Sequence, residues 1–148
     1  MLHFSAKGEY AALAILALSL HAEQSPMQVK AIAKKEKIPL RFLEQVMSQL
    51  KKKGLVDSIR GPHGGYRLTR SPEQITLGEV LQAIEGPLSP ADPSLDRMGT
   101  TAIGRVVLRE VWADVNEAMS DQLNDIHFGA LSEKRREKEG NAVLMFHI

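Results

Sequence analysis

The sequence predicts a mainly α-helical chain with one small β-hairpin, in which a helical domain carrying the hairpin is followed by a separate long helix. Three observations predict it. Apolar residues recur at helical spacing in three successive segments before Gly54, and the period then shortens to that of strands on either side of a Pro/Gly-rich turn. Beyond a proline-rich linker, apolar residues repeat every four positions from Ile103 to Leu123. With 148 residues there is room for one ordinary domain, or a small one with an appended association element, and none for a large multidomain enzyme.

Ser5 is placed to cap a first helix whose apolar positions Leu13, Leu16, Ala17 and Leu20 lie at helical spacing and which ends near His21. After "EQSP", a short second helix from Gln28 to about Lys35 keeps Val29 and Ile32 on one face and lysines on the other. The break "KIP" precedes a third helix from about Pro39 to Lys53, with proline at its first position and Gly54 at its end. Leu43, Val46, Met47 and Leu50 form its buried stripe, and Arg41, Glu44, Gln45 and Ser48 the opposite one. "LVDSI" and "YRL" are short strands joined through "RGPHGG", whose glycines supply the positive φ angles that a tight hairpin needs.

Thr76 and Glu79 make a capping-box pair at the start of a fourth helix closed by Gly86. The linker "GPLSPADPSLDRMG" follows, and then the long helix, from about Thr100 to Asp125. Its stripe of Ile103, Val107, Val111, Val115, Met119 and Leu123 is widened by Val106, Leu108 and Trp112. Such a face folds back on the domain or pairs with another chain, because a lone helix cannot bury it. The expected divisions are a domain of helices and hairpin over 1–86, a linker over 87–99, an association helix over 100–126 and a tail over 127–148. The tail, "LSEKRREKEGNAVLMFHI", reads as a charged short helix or coil with an apolar end.

The net charge of +1 hides a polarity along the chain. Residues 1–71 hold twelve Lys/Arg against five Asp/Glu, a balance of +7, and the remainder seven against thirteen, a balance of −6. A basic half of this kind suits a polyanion. No apolar run is long enough to cross a bilayer and the start lacks a secretory leader, so the expected compartment is the cytoplasm, with no membrane partner. Cysteine is absent, which removes disulfides, thiolate catalysis and Cys-ligated metal centres. Histidines 3, 21, 63, 127 and 147 have no metal-ligand spacing, so no metal site is expected. "GPHGG" lacks the Lys-Ser/Thr of a phosphate loop, and paired carboxylates, HExxH and a nucleophile elbow are all missing, so the chain is not expected to be an enzyme.

Two short helices, a third with a polar outer stripe and an arginine-rich hairpin make a winged helix-turn-helix, in which the third helix enters the major groove and the wing reaches the backbone or minor groove. The side chains suit that task. Arg41 offers donors for guanine, Glu44 an acceptor for the cytosine amino group, and Gln45 a paired donor and acceptor for adenine. Ser48 lies on the same stripe. Lys51 and Lys52, with Lys53 beside them, are placed to meet phosphates. The wing presents Arg60, His63, Gly64, Gly65, Tyr66 and Arg67, and from Ser58 to Arg70 there is no carboxylate to neutralise its cations. An arginine at a wing tip suits the negative potential of a narrow minor groove.

"FSAKGEYAALAILALSLHAE", "IAKKEKIPLRFLEQVMSQLKKKGLVDSIRGPHGGYRLTR" and "ITLGEVLQAIEG" together resemble the Rrf2 family of bacterial winged-helix transcription regulators over most of the chain. The resemblance implies a homodimer held by the long helix, each subunit presenting its helix-turn-helix and wing to half of an A/T-containing pseudo-palindromic operator in double-stranded DNA. It also implies that Arg41, Glu44 and Gln45 approach major-groove bases and that Arg60 enters the minor groove. Many members hold an iron-sulfur cluster through three cysteines in the loop before the dimer helix. Here Pro87–Gly99 contains neither cysteine nor histidine, and Arg109 stands where some relatives place a histidine ligand. Glu9 matches a carboxylate ligand position of some relatives but has no thiolates to join. The expectation is a regulator with no cofactor, whose signal arrives through a regulatory protein partner on the acidic half, through a small ligand, or not at all. A winged-helix adaptor that has exchanged DNA for protein contacts is the alternative.

Overall fold

Ser5 opens the first helix, α1 (Ala6–Leu20), in the computed structural model, which describes residues 4–22, 26–87 and 102–146. Its extended backbone lets the side-chain oxygen accept from the Gly8 N–H at 3.2 Å, as a capping serine should. The Ser5 N–H and hydroxyl both donate to Oε1 of Glu85, at 2.8 and 2.5 Å, which fastens the start of α1 to the end of α4 (Leu77–Glu85). That approach is close because Gly8 has no side chain: a Cβ there would strike the Glu85 carboxylate.

Helix α2 (Val29–Glu36) ends at Lys37, whose φ of 55° is left-handed and whose N–H donates to Ala33 O. Helix α3 (Leu40–Lys52) follows at once. Pro39 sits one residue earlier than expected, as the cap and not the first helical residue, because its carbonyl accepts from Phe42 and Leu43, at 3.1 Å each. The helix closes at Gly54, at φ 76°, whose N–H donates to Lys51 O. Strands β1 (Val56–Ile59) and β2 (Gly65–Leu68) pair antiparallel with Val56 opposite Leu68 and Ile59 opposite Gly65. Met27 adds a further rung, donating to Tyr66 O at 3.0 Å and accepting from the Tyr66 N–H at 2.7 Å. A 3-10 turn (Pro72–Gln74) leads to α4, where the capping box of Thr76 and Glu79 is formed in both directions and Gly86 closes the helix.

The core draws on α1 to α4 and both strands. Ile15 and Leu18 of α1, Ile32 of α2, all four expected apolar residues of α3, Val56 of β1, Ile75 and Val80 are buried together. Phe128 completes the cluster from far along the chain. The linker after Pro87 and the first residues expected of the long helix lie outside the described residues. From Ile103 to Asn124 that helix, α5, is continuous.

The segment after it differs from expectation. Residues Phe128–Phe146 form one helix of 19 residues, α6, in place of a short helix or coil. Its first turns belong to the domain's core: Phe128 and Ser132 are buried, Leu131 is half-buried, and the helix packs on α1 and the 3-10 turn. The link between α5 and α6 is stitched to the start of α4, with Leu77 donating to Ile126 O at 2.7 Å and Phe128 donating to Ile75 O at 2.9 Å. Arg135 of α6 reaches Glu36 of α2 at 2.6 Å and Glu139 at 2.9 Å. Burial alone would lower the Arg135 pKa, but hydrogen bonds and charge from Glu139 and Glu36 outweigh it and the pKa is raised. The supposed tail is thus a structural helix, ion-paired to the helix-turn-helix. Among the described residues no helix is long and apolar enough to cross a membrane.

Candidate nucleic-acid interface

The polar stripe of α3 is free because its apolar stripe is fully consumed. With Leu43, Val46, Met47 and Leu50 buried, helical periodicity turns Arg41, Glu44, Gln45 and Ser48 to the surface, and all four are exposed. They line a shallow groove of about 580 Å³ together with Gln49, Lys52 and Lys7. Neither Lys7 nor Gln49 was anticipated. Lys7 comes from the first turn of α1, which packs on α3. It lies four and seven residues before Ala11 and Ala14 of the buried α1 face, so a lysine there emerges at the edge of whatever that face packs on, a signal present in the sequence. The Arg41 guanidinium stacks 4.7 Å from the centre of the Phe42 ring, which braces it on the groove wall.

The wing stands beside this groove. Lys51 donates to the Ser58 hydroxyl at 2.6 Å and so ties the end of α3 to β1. Arg60 and His63 are exposed in the loop between the strands, and Arg67 is exposed on β2. Asp57 is the cross-strand partner of Arg67, so one carboxylate does share that face. Among the described residues no ion pair engages Arg60 or Arg67.

Gly64, Gly65 and Tyr66 serve the wing's shape. Gly64 is buried and a Cβ on it would strike the Ile59 carbonyl, while Gly65, at φ 144°, lies directly against the backbone of Met27. Tyr66 is half-buried against the core, with its backbone paired to Met27. Two other cations, Arg70 beside the wing and Lys53 at the end of α3, line clefts apart from the α3 groove. Arg70 is bound to Glu79 at 2.5 Å and to Gln74 O at 3.0 Å, an acid distant in sequence that folding brings to it. Lys53 lines a separate cleft with Glu79, Gln82 and Ser120.

The proposed association stripe of α5 is open over most of its length. Ile103 is 80% exposed and Val107, Val111 and Val115 about half, with Val106, Leu108 and Trp112 exposed beside them. Met119 is half-buried. Leu123 corrects the expectation: it is buried within its own chain, where the end of α5 packs on α4 so closely that a Cβ on Gly78 would strike Asn124.

The basic groove on α3, the arginine-bearing wing and the helical core define the class of winged helix-turn-helix transcriptional regulators. The model of the family described as "Rrf2: Iron-dependent Transcriptional regulator" matches residues 4–134, and the chain belongs to that family. It is 36% identical over 127 residues to the HTH-type transcriptional regulator IscR of Aliivibrio salmonicida, covering 86% of this chain and 75% of the relative. The IscR of Vibrio cholerae is 36% identical over 136 residues, covering 88% and 75%. Among solved structures, CymR, "the Global Cysteine Regulator of B. subtilis", superposes with a TM-score of 0.77 at 31% identity, over 90% of this chain and 98% of its own. T. potens IscR superposes with 0.75 at 30% identity, over 93% and 90%. The chain is therefore a transcriptional regulator and not an enzyme, and these relatives lend the adaptor alternative no support.

The iron in the family's description finds no fitting donor set here. The whole chain lacks thiolates, and among the described residues no three His, Asp or Glu side chains converge. Iron-sulfur clusters are held by cysteine thiolates, which this chain does not offer.

Proposed function

We propose that two copies of this chain, joined along α5, bind an A/T-containing pseudo-palindromic operator in double-stranded DNA. Helix α3 enters the major groove of each half-site, where Arg41, Glu44 and Gln45 read base edges. Ser48, Lys51, Lys52 and Lys7 meet phosphates, and Arg60 enters the minor groove with His63 and Arg67 against the backbone. The carrying observation is the exposed α3 groove adjoining a wing whose arginines stay unpaired among the described residues, the two fastened by Lys51 and Ser58. The open apolar stripe of α5 supports pairing of two chains, since a monomer would leave Val107, Val111 and Val115 in water.

Fluorescence anisotropy on the protein's own upstream promoter and on a shuffled duplex, at two salt concentrations, tests this. The promoter is expected to be preferred by at least about a hundredfold. Its affinity is expected to fall on the order of a thousandfold from low to physiological salt, because binding releases condensed counterions and that gain shrinks as salt rises. Equal, weak binding to both duplexes would sink the operator reading.

A further inference from the structure

We propose that the cleft between the root of the wing and helix α6 binds a small zwitterion, a molecule carrying one carboxylate and one ammonium group. The cleft, about 590 Å³, opens between the end of α1, residues 68–73 from the end of β2 onward, and Ser132 and Arg136 of α6. That volume lies in the ordinary range for small-molecule sites.

Its charges select the ligand. Arg136 and Glu73 both line the cleft, and among the described residues neither is ion-paired, to the other or to anything else. Opposite charges that share a cleft without meeting accommodate a molecule bearing the reverse of each. Arg70, also in the wall, is already committed to Glu79 and Gln74 O, so Arg136 is the guanidinium left for a carboxylate.

The hydroxyls fix the other end. Ser19 and Ser132 line the cleft and are each only 3% exposed. Ser19 donates to Ile15 O at 2.7 Å and Ser132 to Gly129 O at 2.8 Å, so both hydrogens are spent and only oxygen lone pairs remain for a ligand. A ligand at these oxygens has to be a donor. Helix α1 also ends here, and the partial negative charge of its last carbonyls favours a cation. Ser19, Ser132 and Glu73 therefore suit an ammonium group, with Arg136 taking the carboxylate. An occupant bridges the wing root to α6, where the neighbouring Arg135 is ion-paired to α2. Any consequence for operator affinity rests on the function proposed above, whereas binding in the cleft does not.

Isothermal titration of the full chain, free of DNA, with each of the twenty common amino acids as a separate probe tests the site. Propionate and propylamine serve as single-charge controls. At least one amino acid is expected to bind with a Kd between about 10 µM and 1 mM, and both controls at least about tenfold more weakly. Arg136→Ala and Glu73→Gln are each expected to weaken that binding at least about tenfold with the melting temperature unchanged, since both positions are exposed. No heat from any probe at 10 mM (about 2.7 kcal/mol weaker than 100 µM), propionate binding as well as the amino acid, or variants that bind like the unaltered chain would each overturn the proposal.

Discussion

Helices α3 and α5 carry the same kind of sequence signal and end in opposite situations. In both, apolar residues recur at helical spacing with polar residues between them. The apolar stripe of α3 is buried to the last atom, whereas that of α5 stands about half exposed from Val107 to Val115. The difference lies in the neighbours. Helix α3 is enclosed by α1, α2, α4 and β1 of its own chain, while among the described residues α5 packs on α4, where Gly78 lies against Asn124. A periodic stripe states that a face has to be covered; it does not state which surface covers it.

The strongest way to break that comparison is to charge the open stripe. Val111→Glu combined with Val115→Glu is expected to weaken self-association by more than about a thousandfold, because burying an unpaired carboxylate costs several kcal/mol. Sedimentation velocity then finds monomers, with far-UV circular dichroism unchanged because both side chains are about half exposed in the single chain. A double variant that still sediments as a dimer places the interface elsewhere. The corresponding change in α3 acts on folding. Met47→Ala is expected to cost about 2–5 kcal/mol in urea denaturation, the range for truncating a fully buried side chain.

Two smaller effects sharpen the contrast between the faces of α3. Gln45→Ala or Arg60→Ala is expected to weaken operator binding by about 1–3 kcal/mol in anisotropy titrations, with sedimentation and unfolding unaltered because both side chains are exposed. An unchanged titration for Arg60→Ala would remove the wing from the interface. Smallest is Lys37→Gly at the turn before α3. Lys37 holds a left-handed backbone that glycine adopts without steric cost, so stability is expected to rise by up to about 1 kcal/mol, read as a higher urea midpoint.

Where the chemistry is local, the fold was legible in the residues. The Ser5 cap, the Thr76 and Glu79 capping box, the Gly54 stop and the α3 stripe all rest on interactions within a few residues, and each is present. Helix α6 was not legible. In "LSEKRREKEG" charges outnumber apolar residues, and only its first turns, at Phe128, Leu131 and Ser132, touch the core. Arg70 looked unpaired because Glu79 is nine residues away and folding brings it near. Of the candidate interface, the α3 stripe and the wing arginines could be read directly, whereas Lys7 joins the groove from another helix.

By itself the sequence determined helices α1 to α5, both strands and which face of each is apolar, because caps, turns and periodicity act over a turn or two of chain. The tertiary structure alone decided how those faces were shared out. It sent Leu123 and Phe128 into the domain and left Val111 and Val115 outside it. It set Lys7 beside Arg41, and Glu36 against Arg135. The physical reason is that burial and ion pairing depend on distance in space, and residues 36 and 135 become neighbours only once the chain has closed on itself.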